Sequence, residues 1–154
     1  MTQTLNAPRI ELNRVSPEIY AAMIALDNAA REDLDPTLAE LIKIRASQIN
    51  HCANCIDMHI HAARRRGETE QRIYLLPAWR EMPELYTEQE QAALALTEEM
   101  TELSGGEHVS DEVYARAAAA FSERELGQVI AMALTINAWN RIGVTTRMRP
   151  PVRP

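Results

Sequence analysis

The chain is short of cysteine, large aromatics, basic charge and long apolar runs, and each shortage narrows what it can be. No stretch approaches the roughly 18 consecutive apolar residues that a membrane span needs. The N-terminal Met-Thr-Gln-Thr-Leu-Asn-Ala-Pro-Arg has neither the apolar centre nor the cleavage pattern of a signal peptide. A soluble cytoplasmic protein is expected, with no membrane partner. Basic residues are outnumbered, 16 against 22 acidic, and the net charge of −6 repels phosphate backbones. Basic runs are short, Arg64 to Arg66 and the tail from Arg147 to Arg153, so no nucleic-acid partner is expected. With one Phe, two Trp and four Tyr, the core must be built mainly from Leu, Ile, Met and Ala. Two cysteines in 154 residues are too few to staple a fold. A bridge between residues this close would contribute only on the order of 2 kcal/mol in the loop-entropy account. A chain of this length already forms one domain with a core of its own.

What remains reads as helix throughout, with no alternating run of β-branched residues to compete. Ser16-Pro17-Glu18 opens a helix to about Arg31, with Ser16 as N-cap and Pro17 at the first helical position. Asp35-Pro36-Thr37 repeats the signal ahead of Leu38, Leu41, Ile42, Ala46 and Ile49, which recur at helical spacing. A third helix is expected from Cys52 or Ala53 to Arg66, where Arg64 to Arg66 suit the negative end of the dipole and Gly67 ends it. Glu68 to Arg80 follows, with Pro77 ending or kinking it. Thr87-Glu88-Gln89-Glu90 is a capping box. Ser104-Gly105-Gly106 marks a loop, Ser110-Asp111-Glu112 starts a helix through about Phe121, and Ser122 to Glu125 starts a long apolar helix to Asn140 or Ile142. The last residues, Arg-Pro-Pro-Val-Arg-Pro, read as an extended tail. The small side chains of Ala115 to Ala120 suit close helix packing and, more weakly, association between copies.

The two cysteines stand together as Cys52-Ala-Asn-Cys55, and His59 follows one turn later. On one helix these three fall within roughly 60° of each other and can line one pocket, while His61 points away. Asn50-His51 is a credible break between helices, which leaves Cys52 at the positive end of the third one, where free N–H groups stabilise a thiolate. In a reducing cytoplasm a lone close pair is more readily catalytic, redox-sensing or metal-binding than structural. Three readings stay open on these residues alone. They are a dithiol redox centre with its own base, a zinc site short of the usual fourth ligand, and two inert buried cysteines beside a core histidine.

The run from Leu38 to His59, Leu-Ala-Glu-Leu-Ile-Lys-Ile-Arg-Ala-Ser-Gln-Ile-Asn-His-Cys-Ala-Asn-Cys-Ile-Asp-Met-His, resembles the active-site core of AhpD-like alkylhydroperoxidases in the carboxymuconolactone decarboxylase superfamily. Glu40, Cys52, Cys55 and His59 match that pattern in type and spacing. Leu76-Pro-Ala-Trp-Arg-Glu81 and Ile136-Asn-Ala-Trp-Asn-Arg-Ile142 extend the likeness over most of the chain. The resemblance implies an all-α, AhpD-like single-domain fold with its catalytic core at about residues 36–66. It also implies an antioxidant peroxidase that reduces hydroperoxides. Cys55 would be the peroxidatic cysteine that becomes a sulfenic acid, and Cys52 the resolving cysteine and proton donor. Glu40 and His59 would form a proton relay. No metal or other cofactor is implied. Electrons would come from a thiol or lipoyl-type donor, and the subunits would form a homo-oligomer, a trimer or hexamer. Asn54 stands where the best-characterised members carry a histidine. Decarboxylase members lack the cysteine pair, so ring-lactone decarboxylation is not expected. A thiol-disulfide reductase recycling an oxidised partner is the alternative activity, and a non-enzymatic metal-binding or scaffold protein the alternative class.

Two residues sit awkwardly on the helical pattern. Glu40 lies roughly 160° from the centre of the Leu38, Leu41, Ile42, Ile49 stripe, where periodicity alone predicts a solvated glutamate. Its role in the relay rests on the resemblance. Arg45 falls inside the stripe and is expected to pair with a buried carboxylate, to line a subunit contact or to snorkel.

Overall fold

Local capping chemistry sets most of the helix starts. The computed structural model describes residues 9–103 and 108–152, so the Ser104-Gly105-Gly106 loop and the last two residues of the tail lie outside the described residues. The helices are α1 (Leu12–Val15), α2 (Pro17–Arg31), α3 (Pro36–Ile49), α4 (Ala53–Arg65), α5 (Glu70–Leu75), α6 (Glu88–Thr101), α7 (Asp111–Ala120) and α8 (Glu123–Thr146), and no strand occurs among the described residues. Asp35 caps α3 by accepting the Leu38 N–H at 2.9 Å. Ser110 does the same for α7, and both capping boxes form, Thr87 with Glu90 and Ser122 with Glu125. Ser16 precedes α2, but its side chain makes no cap bond; Pro17 at the first position carries that start.

Three boundaries differ from the sequence expectation. The Glu68 to Arg80 segment is not one helix: α5 stops at Leu75 and a tighter 3₁₀ stretch, Leu76–Glu81, carries Pro77, followed by a second, Pro83–Leu85. The last helix passes Ile142 and runs to Thr146, because Gly143 is packed inside the helix rather than ending it, and Arg147 supplies the left-handed cap at φ 57°. The short α1 has no periodic pattern to announce it. Methionine contributes less to the core than expected, since Met132 is its one fully buried member among the described residues. No helix among them is long and apolar enough to cross a membrane.

Helix α3 sits at the centre and packs against α4, α6 and α8, while α2 lies on α8. One core cluster takes Leu38, Ile42 and Ala46 from α3 together with Val129, Met132 and Ile136 of α8. A second takes Leu41 and Ile44 with Leu76, Trp79 and Leu94. Each wholly buried Leu or Ile contributes roughly 1.5–3 kcal/mol, so these two layers clamp α3 from both sides. A helix covered in this way buries its polar residues as well, and Glu40, Lys43 and Ser47 are inaccessible along with its apolar ones. Each of the three is met by a different neighbour: Glu40 by His59 of α4, Lys43 by Asp27 of α2, and Ser47 by Asn140 of α8.

Arg45 pairs with a buried carboxylate, the first of its three expected outcomes. Glu98 accepts from Arg45 Nε at 2.6 Å, Trp79 Nε1 at 2.9 Å and Arg80 Nη2 at 2.7 Å, which ties α3, α6 and the 3₁₀ stretch together. Burial pushes the Glu98 carboxyl up, but the bonds from Trp79 and Arg45 outweigh it, and the group lies below its ordinary value of 4.5. A carboxyl lowered by folding contributes stability above its unfolded value and loses it as pH falls through the folded one. Glu98→Gln is therefore expected to cost about 3 kcal/mol in urea unfolding at neutral pH. The difference from wild type should shrink as pH drops below 4.5. A gap that stays constant into acid would mean the loss is one of shape rather than charge.

Candidate functional site

The turn between α3 and α4 is held by side-chain amides. Asn50 Nδ2 donates to Asn137 Oδ1 and Asn140 Oδ1 of α8, both at 2.9 Å, and Asn140 Nδ2 donates to Ser47 Oγ at 2.9 Å. The Cys52 N–H donates to the Ser47 carbonyl at 3.0 Å. His51, exposed at the corner, takes the left-handed φ of 55° needed to turn the chain back, which costs an L residue about 1 kcal/mol. The amide network meets that cost and sets where α4 begins. The sequence reading missed Asn137 and Asn140, although Asn-x-x-Asn on an otherwise apolar helix, inside the Ile136 to Ile142 segment, is a signal for a buried polar contact.

Cys52 is the N-cap of α4, Cys55 lies in its first turn and His59 one turn later, and the two sulfurs form a disulfide. All three residues are buried, with 2%, 4% and 6% of their surface exposed. Cys55 and His59 share a face, as helical spacing predicts. They line a cleft of about 220 Å³ whose walls include Asn54, Tyr20, Ile24 and Trp139. Cys52 is not among the lining residues: it stands outside the helix proper, so the expectation of three residues on one pocket wall holds for two of them. Tyr20 and Trp139 meet edge to face at 5.1 Å and give the cleft an aromatic wall. His61 is exposed on the far side of α4.

Glu40 reaches this site from α3. The solvated glutamate that periodicity predicts is not observed: Glu40 is 2% exposed and its Oε2 lies 2.9 Å from His59 Nδ1. The periodic argument failed because it assumes that the side opposite an apolar stripe faces water, whereas here α4 covers it. Burial pushes the Glu40 carboxyl up, but the His59 hydrogen bond and the nearby charges of His59, Lys43 and Arg31 prevail and hold it below the ordinary carboxylate range. An ionised carboxylate only accepts, so His59 Nδ1 carries the proton and donates it. In the neutral imidazole that leaves Nε2 as the nitrogen able to act as a base. The early amides of α4 lack acceptors within their own helix and present partial positive charge beside Cys55, which favours its thiolate once the pair is reduced.

Helix α8 closes the back of the pair. A Cβ placed on Gly143 would lie 3.0 Å from Cys52 Sγ and 3.4 Å from Cys55 Sγ. Gly143→Ala is expected to destabilise the oxidised protein by about 1–3 kcal/mol through overpacking, read as a lower urea midpoint. An unchanged midpoint would show that the sulfurs can give way. Among the described residues no group of three His, Cys, Asp or Glu is placed to hold a metal ion.

Comparison with known proteins bears on the family and the fold. Residues 17–99 match the carboxymuconolactone decarboxylase family. The uncharacterised protein YdfG of Bacillus subtilis (strain 168) is 41% identical over 137 residues, spanning 88% of this chain and 92% of that one. A solved structure of a protein of unknown function from Agrobacterium tumefaciens, provisionally named as an antioxidant defence protein AhpD, superposes with a TM-score of 0.89 at 39% identity, over 96% of this chain and all of the other. An uncharacterised peroxidase-related protein from Silicibacter sp. TM1040 shares the fold at a TM-score of 0.76 and 22% identity, over 89% of this chain and 72% of that one. The family match covers the two helices that carry Glu40, the cysteine pair and His59, and the chain belongs to the carboxymuconolactone decarboxylase family.

Proposed function

We propose that the protein is a Cys-x-x-Cys peroxidase that reduces organic hydroperoxides in antioxidant defence. The observation that carries this reading is the lining of one cleft by Cys55 and His59, with His59 hydrogen-bonded to ionised Glu40 and Cys52 within bonding reach behind. In the reduced protein, the Cys55 thiolate attacks the outer peroxide oxygen. An S–O bond forms as O–O breaks, and the departing alkoxide takes a proton relayed by His59. Cys52 then attacks the sulfenic sulfur, the disulfide forms and hydroxide leaves as water. One hydroperoxide and two thiols thus yield one alcohol, one water and one disulfide. The neighbouring thiol protects the sulfenic acid from further oxidation. A thiol or lipoyl-type donor would regenerate the dithiol, which suits a reducing cytoplasmic setting. Family likeness carries a homo-oligomer, trimer or hexamer, and light scattering would size it.

The apolar walls of the cleft favour a second activity, reduction of a lipoyl-type or protein disulfide. The test is single-turnover mixing of the reduced protein with cumene hydroperoxide or with oxidised lipoamide. Fast loss of one peroxide per two thiols supports the peroxidase. Fast exchange with the disulfide and inertness to peroxide would move the assignment to a thiol-disulfide reductase. Inertness to both would end both readings.

A further inference from the structure

The Glu40–His59 pair does not stand alone: a row of charges leads from it, through α2, to a lysine that the proposed chemistry does not use. Glu40 spends Oε2 on His59, and its Oε1 lies 3.6 Å from Arg31 Nη1. Arg31 Nε in turn donates to Asp27 Oδ2 at 2.5 Å. The other oxygen of Asp27, Oδ1, lies 3.6 Å from Lys43 Nζ. Lys43 is wholly inaccessible, and its ammonium has no hydrogen-bond partner. A buried ammonium is costly unless its charge does something for its neighbours. Burial holds Lys43 below its ordinary value, while Asp27 and Glu40 oppose that shift. Asp27 and Arg31 also line the cleft beside Cys55 and His59.

We infer that Arg31 and Lys43, bridged by Asp27, are positioning residues that keep Glu40 anionic and turned toward His59. The inference rests on the proposed role of the Glu40–His59 relay and extends it. A buried carboxylate with only a neutral imidazole beside it would tend to take up a proton, and a protonated Glu40 no longer orients His59 by accepting from Nδ1. Two fixed cations on its far side prevent this. The charged groups that act on Glu40 are His59 from α4, Lys43 from its own helix and Arg31 from α2. Glu98, the charge of α6 that faces α3, is engaged by Arg45 and by Arg80 of the 3₁₀ stretch. Helix α8 meets the turn after α3 with the amides Asn137 and Asn140. The division of labour follows from exposure: Lys43 is the inaccessible fixed charge, and Arg31, with 38% of its side chain exposed, is the cation that meets the cleft.

The test reads Cys55 without needing any peroxidase turnover. In a Cys52→Ser background, the rate of iodoacetamide alkylation of Cys55 is measured against pH, beside the same profile for His59→Ala. Arg31→Gln, at a partly exposed position that tolerates substitution, is expected to move the midpoint up by about one pH unit. Arg31→Lys should recover part of the shift, because it restores the charge but not the fork that spans Asp27 and Glu40. Asp27→Asn releases both cations toward Glu40 and should move the midpoint down, a reversal of sign that a merely structural role would not produce. Arg31→Gln and Asp27→Asn shifting in the same direction, or neither shifting, overturns the inference. If His59→Ala leaves the profile unchanged, the relay reading itself fails. If His59→Ala shifts it and Arg31→Gln does not, the relay stands and the role of Arg31 is lost.

Discussion

Reduced protein carrying Cys55→Ser will consume hydroperoxide at least about a thousandfold more slowly than wild type, the scale on which removing a covalent nucleophile acts. The expectation follows from access: Cys55 lines the cleft with His59, whereas Cys52 caps the helix behind it and does not. A peroxide entering between Tyr20, Ile24 and Trp139 meets the second sulfur. Cys52→Ser should behave differently. It keeps the attacking thiolate, so the first equivalent of peroxide is consumed at a rate close to wild type, and then it stops with Cys55 as a sulfenic acid that a dimedone-type reagent traps. Labelling of Cys52 in the Cys55→Ser protein, together with persistent peroxide consumption, would reverse the two roles. The fold should survive either change without the bridge, since a bridge across so short a loop adds little to a core of this size.

Glu40→Gln is expected to lower the rate of Cys55 oxidation by about a hundredfold or more, within the range that general acid–base groups command. Glutamine keeps the shape but loses the negative charge that His59 Nδ1–H and Arg31 satisfy. His59 is then free to turn or to change tautomer, and Nε2 no longer faces its work as a base. His59→Ala should cost a similar factor, and the double variant little more than either single one, because the two residues act as a unit. In wild type the Glu40 carboxyl lies below the ordinary 4.5, so across neutral pH it stays ionised and contributes no titration of its own. Thermal melts separate this from unfolding. A Glu40→Gln protein with a wild-type melt and a wild-type rate would remove Glu40 from the mechanism.

How much of this was legible beforehand depends on the range of the interaction concerned. Caps act within one turn, so Asp35, Thr87, Ser110 and Ser122 announce helices that the structure contains. The pairing of Cys55 with His59 is likewise local, one turn of one helix apart. Arg45 was visible as an anomaly, a charge inside an apolar stripe, but its partner Glu98 is 53 residues away and no local rule names it. The last helix runs past the expected Asn140 or Ile142 to Thr146, and Gly143 is kept inside it where a side chain would strike the sulfurs.

The sequence by itself determined that this chain is helical and where most helices start. It also set two cysteines and a histidine at spacings that let Cys55 and His59 share a face, since capping and helical periodicity are properties of adjacent residues. Periodicity put Glu40 in water and only the family resemblance put it in the site; the tertiary structure set it against His59, and it alone decided that Cys55 rather than Cys52 opens on the cleft and that Arg31, Asp27 and Lys43 stand behind them. Those placements depend on how α2, α3, α4 and α8 pack. Packing is set by the burial of two apolar layers around α3, and it converts the polar side of that helix from a solvated face into the interior of the site.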